Sequence, residues 1–312
     1  MKCLIVDKMH ESIGPLLVSI GWDYIYRPEI TREEIMQILP EFDGLIIRSK
    51  TRVDQELISR AAGLKFIGRA GAGIDNLEEA AIEGAGISLL NAPEGNRNAV
   101  AEHTLGLILG LLNNIVKSDD EIRKGTWHRE NNRGLELSGK TIGLLGYGFM
   151  GMAVAEKLAC LGCRVLAYDK YKKDWSDYSA TAVEMDVIFQ EADIFSIHVP
   201  LTSETRTLVN ADYFDKFQKP AFIVNTARGE ILDLNDLITA IDQGKIKGAA
   251  LDVLENEKLG NLTENQHITF NKLIKSSKII LTPHVAGWTY ESYKKINEVL
   301  VEKIQTKING NT

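Results

Sequence analysis

The sequence predicts an α/β protein with two doubly wound units, each built on a parallel sheet covered by helices. Short apolar runs alternate with helical patterns along most of the chain, which is the order that parallel sheets require. The runs are too many for one compact sheet, and 312 residues correspond to about two domains of ordinary size. These observations favour two sheets in one chain.

The first half of the chain contains predicted buried strands at residues 2–6, 44–47, 64–67 and 87–90. The helical patterns between these runs begin at polar residues that can cap a helix, and they cover residues 31–39, 54–61 and 76–83. A longer helical pattern follows and is predicted as one helix over residues 98–124. This helix leads into the second half.

Strand and helix alternate again in the second half. A strand over residues 141–145, a helix over 150–161 and a strand over 164–168 come first. Four more apolar runs are predicted as strands, at residues 194–197, 221–224, 248–251 and 279–281. A last helix is predicted over residues 291–308, so the second half holds enough strands for a sheet of its own.

Composition excludes several classes of protein. Lys and Arg number 36 and Asp and Glu 43, so the net charge of −7 is unsuited to general nucleic-acid binding. No apolar run reaches about 18 residues, so we expect no membrane span, and the short apolar start does not predict a signal peptide. Three cysteines without a framework spacing predict a cytoplasmic protein. Cys160 and Cys163 lack further ligands for a zinc site, so we expect no metal.

Gly146, Gly148 and Gly151 follow a predicted strand with the spacing of a dinucleotide-binding loop. Glycines at these positions allow a tight turn and a close approach of the backbone to a pyrophosphate. The helix that is predicted to start at Met150, directly after Phe149, would direct its N-terminus at the phosphates. The alternative is a tight turn without a ligand, but the order of strand, loop and helix favours a cofactor site.

Asp169 stands at the end of the next predicted strand, about 20 residues after the glycine loop. A carboxylate at this position can bind the ribose hydroxyls and repels a 2′-phosphate, so the sequence predicts NAD as the cofactor. Lys170 and Lys172 leave open how strictly NAD is preferred over NADP.

Three polar residues, Arg228, Glu257 and His284, follow the last three predicted strands. The carboxyl ends of parallel strands meet at one edge of a sheet, so we expect these side chains at the same edge as the glycine loop. The Arg can hold a carboxylate, the His can exchange a hydroxyl proton, and the Glu can hold the imidazolium. Each of them alone is usually structural, and the hypothesis depends on their combination.

The loops after strands of the first half supply another set of donors. These candidate substrate contacts are Arg48, Ser49, Arg69, Ala70, Gly71 and Asn96. Two arginines among glycines and backbone amides suit a small anionic substrate such as a carboxylate or a phosphate. The alternative interpretation is surface arginines in ordinary turns.

Together these motifs resemble those of the D-2-hydroxyacid dehydrogenase family over nearly the whole chain. The matching segments besides the glycine loop are residues 47–51, 68–76, 91–96, 101–104, 134–137, 225–229, 252–257 and 282–287. The chain departs from the family pattern at Tyr147, Phe149 and Met150, and at Lys258, where the family usually has a proline.

The resemblance implies a Rossmann NAD domain inserted into a discontinuous, flavodoxin-like substrate domain. The implied substrate domain is 1–95 plus 287–312, and the NAD domain is 96–286, with a dimerisation arm at about 99–129 that predicts a homodimer. Arg228, Glu257 and His284 are the implied catalytic residues. Further cofactor contacts implied by the family are His198, Pro200, Thr205, Thr226, Ala227, Asp252 and Ala286.

The implied reaction is the NAD-dependent oxidation of 3-phospho-D-glycerate to 3-phosphooxypyruvate, the entry step to serine. Two alternatives stay open. One is another member of the family that acts on glyoxylate, hydroxypyruvate or a different 2-hydroxy or 2-oxo acid, and the other is an NAD-sensing protein of the corepressor type. The length of 312 residues predicts a form without the regulatory domain of longer relatives.

Overall fold

The computed structural model describes residues 1–172 and 175–310, and the chain divides into two compact units. The first unit combines Met1–Arg97 with Trp288–Thr312, and the second unit is Asn98–Gly287. The first unit is therefore discontinuous in sequence. Strands and helices are numbered separately below, in chain order.

The first unit contains a parallel sheet of five strands: β1 (Lys2–Ile5), β2 (Asp23–Tyr26), β3 (Gly44–Ile47), β4 (Phe66–Arg69) and β5 (Ser88–Asn91). Successive strands are connected by α1 (Ile13–Ser19), α2 (Arg32–Ile38), α3 (Gln55–Ile58) and α4 (Glu79–Gly84). The order across the sheet is β2-β1-β3-β4-β5, which is the flavodoxin-like arrangement of a doubly wound fold. The predicted fold class is confirmed for this unit.

Two of the three predicted helix caps are present in the first unit. Thr31 accepts a hydrogen bond from the Glu34 amide at the start of α2, and Asp54 accepts one from the Leu57 amide at the start of α3. Asn76 does not cap a helix, because α4 begins three residues later and the Asn76 amide donates to the backbone carbonyl of Arg48.

The last helix, α12 (Tyr290–Ile304), belongs to the first unit. Its buried face shares one hydrophobic cluster with the strands β1, β3 and β4. The apolar residues of α12 in this cluster are Ile296, Leu300, Val301 and Ile304. The end of the chain therefore completes the helix layer over a sheet formed by its beginning.

The second unit contains a parallel sheet of seven strands: β6 (Thr141–Leu145), β7 (Arg164–Tyr168), β8 (Thr181–Ala182), β9 (Ile194–Ile197), β10 (Ala221–Asn225), β11 (Ile246–Leu251) and β12 (Ile279–Leu281). Its helices include α7 (Phe149–Cys160), α8 (Met185–Glu191), α9 (Ala211–Phe214), α10 (Leu234–Asp242) and α11 (Glu264–Lys275). The order β8-β7-β6-β9-β10-β11-β12 is that of a Rossmann sheet with one additional strand. This arrangement confirms the second doubly wound unit.

The prediction of one helix over residues 98–124 is wrong. Two helices, α5 (Pro93–Leu112) and α6 (Ile115–Arg123), form instead and are bent by 63°. The break lies at Asn114, which adopts a left-handed conformation with φ of 53°, one that asparagine tolerates better than most residues. In the described part of the chain no single helix is long and apolar enough to cross a membrane, and α5 with α6 would reach that length only as this bent pair.

Candidate active site

The glycine loop connects β6 to α7, and two of its three glycines are required by close backbone contacts. Gly146 has a φ of 95°, and a Cβ there would lie 2.7 Å from the carbonyl oxygen of His198. A Cβ on Gly151 would lie 2.2 Å from the carbonyl oxygen of Gly146. Side chains at either position would therefore displace the loop.

Gly148 faces open space, since a Cβ there would meet nothing within 4 Å. It is also the N-cap of α7 and provides no side-chain hydrogen bond to the first turn, which starts with the half-exposed Phe149 and with Met150. An open cradle at the N-terminus of a helix of 12 residues fits a pyrophosphate. The residues present therefore fit a dinucleotide.

Asp169 follows β7 and lies beside the glycine loop. Its carboxylate accepts hydrogen bonds from the amides of Tyr147, at 2.9 Å, and Tyr171, at 3.0 Å. The two neighbouring lysines are also engaged, because Lys170 pairs with Glu204 and Lys172 donates to the carbonyl oxygen of Tyr147. A contact of Asp169 with a ribose stays a prediction.

The segment after β9 contains three of the predicted cofactor contacts. The His198 imidazole is buried, and its Nε2 lies 2.8 Å from the hydroxyl of Ser196. Thr205 donates to the carbonyl of Pro200 and so closes the loop. Because the imidazole faces the protein interior, any cofactor contact of His198 has to use its backbone.

Burial lowers the pKa of His198 to about 4, so we expect this residue to make stability depend on pH. The unfolded chain takes up the proton near pH 6.5 and the folded chain only near pH 4. The unfolded state therefore binds more protons between these values, and the free energy of unfolding falls as pH falls through this window, by up to about 3 kcal/mol.

Urea unfolding of the wild type and of His198→Gln at about pH 7.5 and pH 5 measures this contribution, since glutamine stays neutral at both. We expect a smaller loss of stability at the lower pH in the variant. An equal loss in both proteins would contradict the buried neutral histidine.

His284 and Glu257 form the central pair of the site. The Nδ1 atom of His284 lies 2.8 Å and 2.9 Å from the two carboxylate oxygens of Glu257, and both side chains are about half exposed. Since a carboxylate accepts, Nδ1 carries the hydrogen, and in the neutral imidazole Nε2 is left as the acceptor. The pair can therefore take up a proton at Nε2 and stabilise the resulting charge.

Asp252 holds the turn that carries His284. Its carboxylate has no exposed surface and accepts from the hydroxyl of Thr282 and the amides of Val285 and Ala286, at 2.5 Å, 3.0 Å and 2.8 Å. Its carbonyl oxygen accepts from the His284 amide at 2.7 Å. These bonds fix His284 in a left-handed conformation with φ of 55°, which a non-glycine residue rarely adopts.

Burial opposes the charge of Asp252, yet hydrogen bonds from His103, Thr282 and the two backbone amides together hold the pKa of this carboxyl below its usual value. The Nε2 atom of His103 lies 3.1 Å from the Thr282 hydroxyl and 3.4 Å from the carboxylate. Neither His103 nor Thr282 was predicted to have a role. A contact of Asp252 with the nicotinamide stays a prediction.

The loop after β10 carries Thr226, Ala227 and Arg228. The Thr226 hydroxyl lies 3.1 Å from that of Thr104, and the Ala227 amide donates to Asn225. Arg228 donates to the Ala227 carbonyl at 2.6 Å. A Cβ on Gly229 would lie 2.0 Å from the backbone of Leu254, so this loop packs directly on the segment that leads to Glu257.

The predicted substrate contacts lie in the first unit. Arg48 follows β3, and the exposed Ser49 stands next to it. The guanidinium of Arg69 covers Gly71, which has a φ of 144°. Ala70 is buried, and Oδ1 of Asn96 is buried without a hydrogen bond to any described residue. The catalytic candidates Arg228, Glu257 and His284 lie in the second unit.

Comparison with known proteins agrees with this geometry. Residues 105–286 match the family model described as "D-isomer specific 2-hydroxyacid dehydrogenase, NAD binding domain". A D-3-phosphoglycerate dehydrogenase of Archaeoglobus fulgidus is 34% identical over 99% of this chain, and one of Synechocystis is 36% identical over 99%. The chain spans 58% and 54% of the length of these two relatives.

Two further proteins are similar to this chain over nearly their whole length. A hydroxypyruvate reductase of Thermotoga maritima is 36% identical, and the match covers 96% of this chain and 95% of that protein. The crystal structure of a glyoxylate reductase from Paecilomyes thermophila has a TM-score of 0.87 and 26% identity, and the match covers 100% of this chain and 96% of that one.

Proposed function

Because the chain belongs to the family of D-isomer specific 2-hydroxyacid dehydrogenases and contains its NAD-binding domain, we propose that it oxidises 3-phospho-D-glycerate to 3-phosphooxypyruvate. The observation that carries this proposal is the hydrogen-bonded pair of His284 and Glu257, which follows two strands of the sheet that bears the glycine loop. A proton acceptor beside a dinucleotide site is what the oxidation of a secondary alcohol requires.

NAD binding is assigned to residues 96–286. Gly146, Gly148 and Gly151 with the N-terminus of α7 would hold the pyrophosphate, and Asp169 would bind the adenosine ribose. When bound, NAD accepts the hydride that leaves C2 of the substrate as the C2 oxygen becomes a carbonyl.

His284 is the proposed acid and base. In the oxidation its Nε2 takes the proton of the C2 hydroxyl, and in the reverse reaction it returns that proton to the oxygen. Glu257 keeps the ring in one orientation through Nδ1 and stabilises the imidazolium. Asp252 maintains the turn that presents His284, through the bonds to the amides of Val285 and Ala286.

Arg228 is assigned to the substrate carboxylate, since a guanidinium can bind two carboxylate oxygens in a fork. The substrate domain is assigned to residues 1–95 with 287–312, and its candidate contacts Arg48 and Arg69 supply positive charge for a second anionic group. Local arginines are needed because the net charge of −7 does not attract an anion to the protein as a whole.

The alternative within the family is a hydroxypyruvate or glyoxylate reductase. The similarity to the Thermotoga protein, which extends over 95% of that protein, favours this alternative more than any other observation does. Hydroxypyruvate differs from 3-phosphooxypyruvate only by the phosphate, so the two proposals differ in whether a phosphate is recognised.

We further propose a homodimer formed through residues 99–129, in the cytoplasm. The support for the dimer is a set of apolar side chains that are exposed in this chain: Ile115, Val116 and Ile122 on α6, and Trp127, which is 81% exposed. Exposed apolar residues in such a cluster are typical of an interaction surface.

A panel of 2-oxo acids tests the proposed substrate. NADH oxidation is measured with 3-phosphooxypyruvate, hydroxypyruvate, glyoxylate, pyruvate and 2-oxoglutarate. We expect kcat/KM for 3-phosphooxypyruvate to exceed the others by at least about tenfold, because a charge-assisted contact to the phosphate is lost with the smaller acids. If kcat/KM is instead at least about tenfold higher for hydroxypyruvate or glyoxylate, the chain is a hydroxypyruvate or glyoxylate reductase and the proposed substrate is wrong. NADH binding without turnover of any acid would favour a sensor.

A further inference from the structure

Arg48 is held at its backbone by two side chains of the first unit. Its amide donates to the carboxylate of the buried Asp7, and its carbonyl oxygen accepts from the Asn76 amide at 3.1 Å. The residue follows β3 directly, so its backbone is held by the end of this strand as well as by Asp7 and Asn76. The position from which the side chain extends is therefore fixed.

The guanidinium of Arg48 packs against two aromatic rings. Its Cζ atom lies 4.3 Å from the ring centre of Trp288 and 4.9 Å from that of Tyr293. The two rings are 5.2 Å apart and inclined by 43°, so they form a wedge around the cation. Both distances are within the range of attractive cation–π contacts.

The start of α12 keeps the two rings in place. Trp288 precedes the N-cap Thr289, and Tyr293 lies in the first turns of the helix. Thr289 and Ser292 exchange hydrogen bonds in a capping box, with both distances at 3.0 Å. The aromatic wedge is thus a preformed part of the first unit, although Trp288 is 57% exposed and adds little to its core.

A cation stacked in this way can still bind an anion. The Tyr293 side chain also forms a hydrogen bond with the guanidinium, but a guanidinium has five N–H donors in its plane, so donors remain for an anion. Burial lowers the pKa of Arg48, but an arginine of such high ordinary pKa remains charged in neutral solution. The wedge therefore orients the charge without neutralising it.

We infer that Trp288 and Tyr293 are specificity-determining residues, which orient Arg48 to bind a second anionic group of the substrate in addition to the carboxylate. The effect on turnover rests on the proposed function, whereas the effect on anion binding does not depend on it. An arginine without these rings would adopt many rotamers and would lose conformational entropy when it binds the anion. The aromatic contact is therefore what favours a phosphorylated over an unphosphorylated 2-oxo acid.

Two measurements on Trp288→Leu test this inference. The first compares kcat/KM for 3-phosphooxypyruvate and for hydroxypyruvate, with 2-oxoglutarate added to learn whether a carboxylate can replace the phosphate. We expect a loss of about 5- to 30-fold for 3-phosphooxypyruvate and less than about twofold for hydroxypyruvate. The second measures by calorimetry the binding of 3-phospho-D-glycerate and of D-glycerate in the presence of NADH, with which neither can react.

Matched variants separate the contact from a structural effect. Trp288→Phe retains a ring face and should recover most of the affinity for 3-phospho-D-glycerate. Tyr290→Leu removes an aromatic residue that is 95% exposed at the start of the same helix, and it should leave both ligands unaffected. Tyr293→Leu should have the same effect as Trp288→Leu. It serves as the test variant if Trp288→Leu does not fold.

The outcomes distinguish this inference from the proposed function. An equal loss on phosphorylated and unphosphorylated ligands, or no loss on either, would overturn the role of the wedge. The role of the wedge would also be overturned if the wild type does not bind 3-phospho-D-glycerate. If no 2-oxo acid is turned over, the proposed function fails, and selective loss of 3-phospho-D-glycerate binding in Trp288→Leu would still support the wedge.

Discussion

Replacing His284 by alanine is expected to lower turnover by about 10²–10⁴-fold, the usual contribution of general acid–base catalysis. The variant keeps the backbone amides that Asp252 binds, so the turn should persist while the proton acceptor is lost. Steady-state NADH oxidation with the preferred 2-oxo acid measures the effect. Because the imidazole is assigned to the chemical step, kcat should fall much more than the affinity for NADH.

Two other variants complete this experiment. Glu257→Gln keeps a hydrogen-bond acceptor for Nδ1 but removes the charge, so its loss of turnover should be smaller than that of His284→Ala. His267→Ala removes an exposed histidine of α11 in the same unit and should retain wild-type turnover. Near wild-type turnover in His284→Ala would reject the assignment of the acid and base.

Gly148→Ala is expected to weaken NADH binding by at least about tenfold without a loss of stability. Gly148 has a φ of −83°, which alanine can adopt, and the added Cβ meets no atom within 4 Å. The methyl group would instead occupy the space that the backbone needs to approach the pyrophosphate. Fluorescence titration with NADH and thermal unfolding measure the two properties separately.

Gly84→Ala is the matched control for this variant. Gly84 is the last residue of α4 in the first unit, its Cβ would also meet nothing within 4 Å, and alanine favours a helix. We expect Gly84→Ala to bind NADH as the wild type does and to be equally or slightly more stable. Unchanged NADH affinity in Gly148→Ala would mean that the cradle at the N-terminus of α7 does not hold the cofactor.

Local patterns were enough to predict the framework of the second unit. The glycine loop, Asp169 and the polar residues after three strands could be identified because a parallel sheet collects the carboxyl ends of its strands at one edge. The pairing of Glu257 with His284 follows from the same rule, since both residues come after neighbouring strands. The fold class of both units was predicted from the alternation of strands and helices.

Features that depend on distant contacts or on local backbone exceptions were not predictable in this way. β2 is mostly exposed and has no apolar run, so only its pairing with β1 defines it as a strand. The break between α5 and α6 depends on one left-handed asparagine within a helical pattern. The burial of Asp252 and the stacking of Arg48 on Trp288 join residues separated by 30 to 240 positions, for which the sequence contains no local signal.

The most direct test of the proposed chemistry follows NADH oxidation by 3-phosphooxypyruvate and determines the configuration of the product. We expect one NADH to be consumed for each molecule of 3-phospho-D-glycerate formed, with no oxidation when the 2-oxo acid is omitted. An L-configured product, or NADH binding without oxidation by any 2-oxo acid of the panel, would contradict the assignment of this chain as an NAD-dependent D-2-hydroxyacid dehydrogenase.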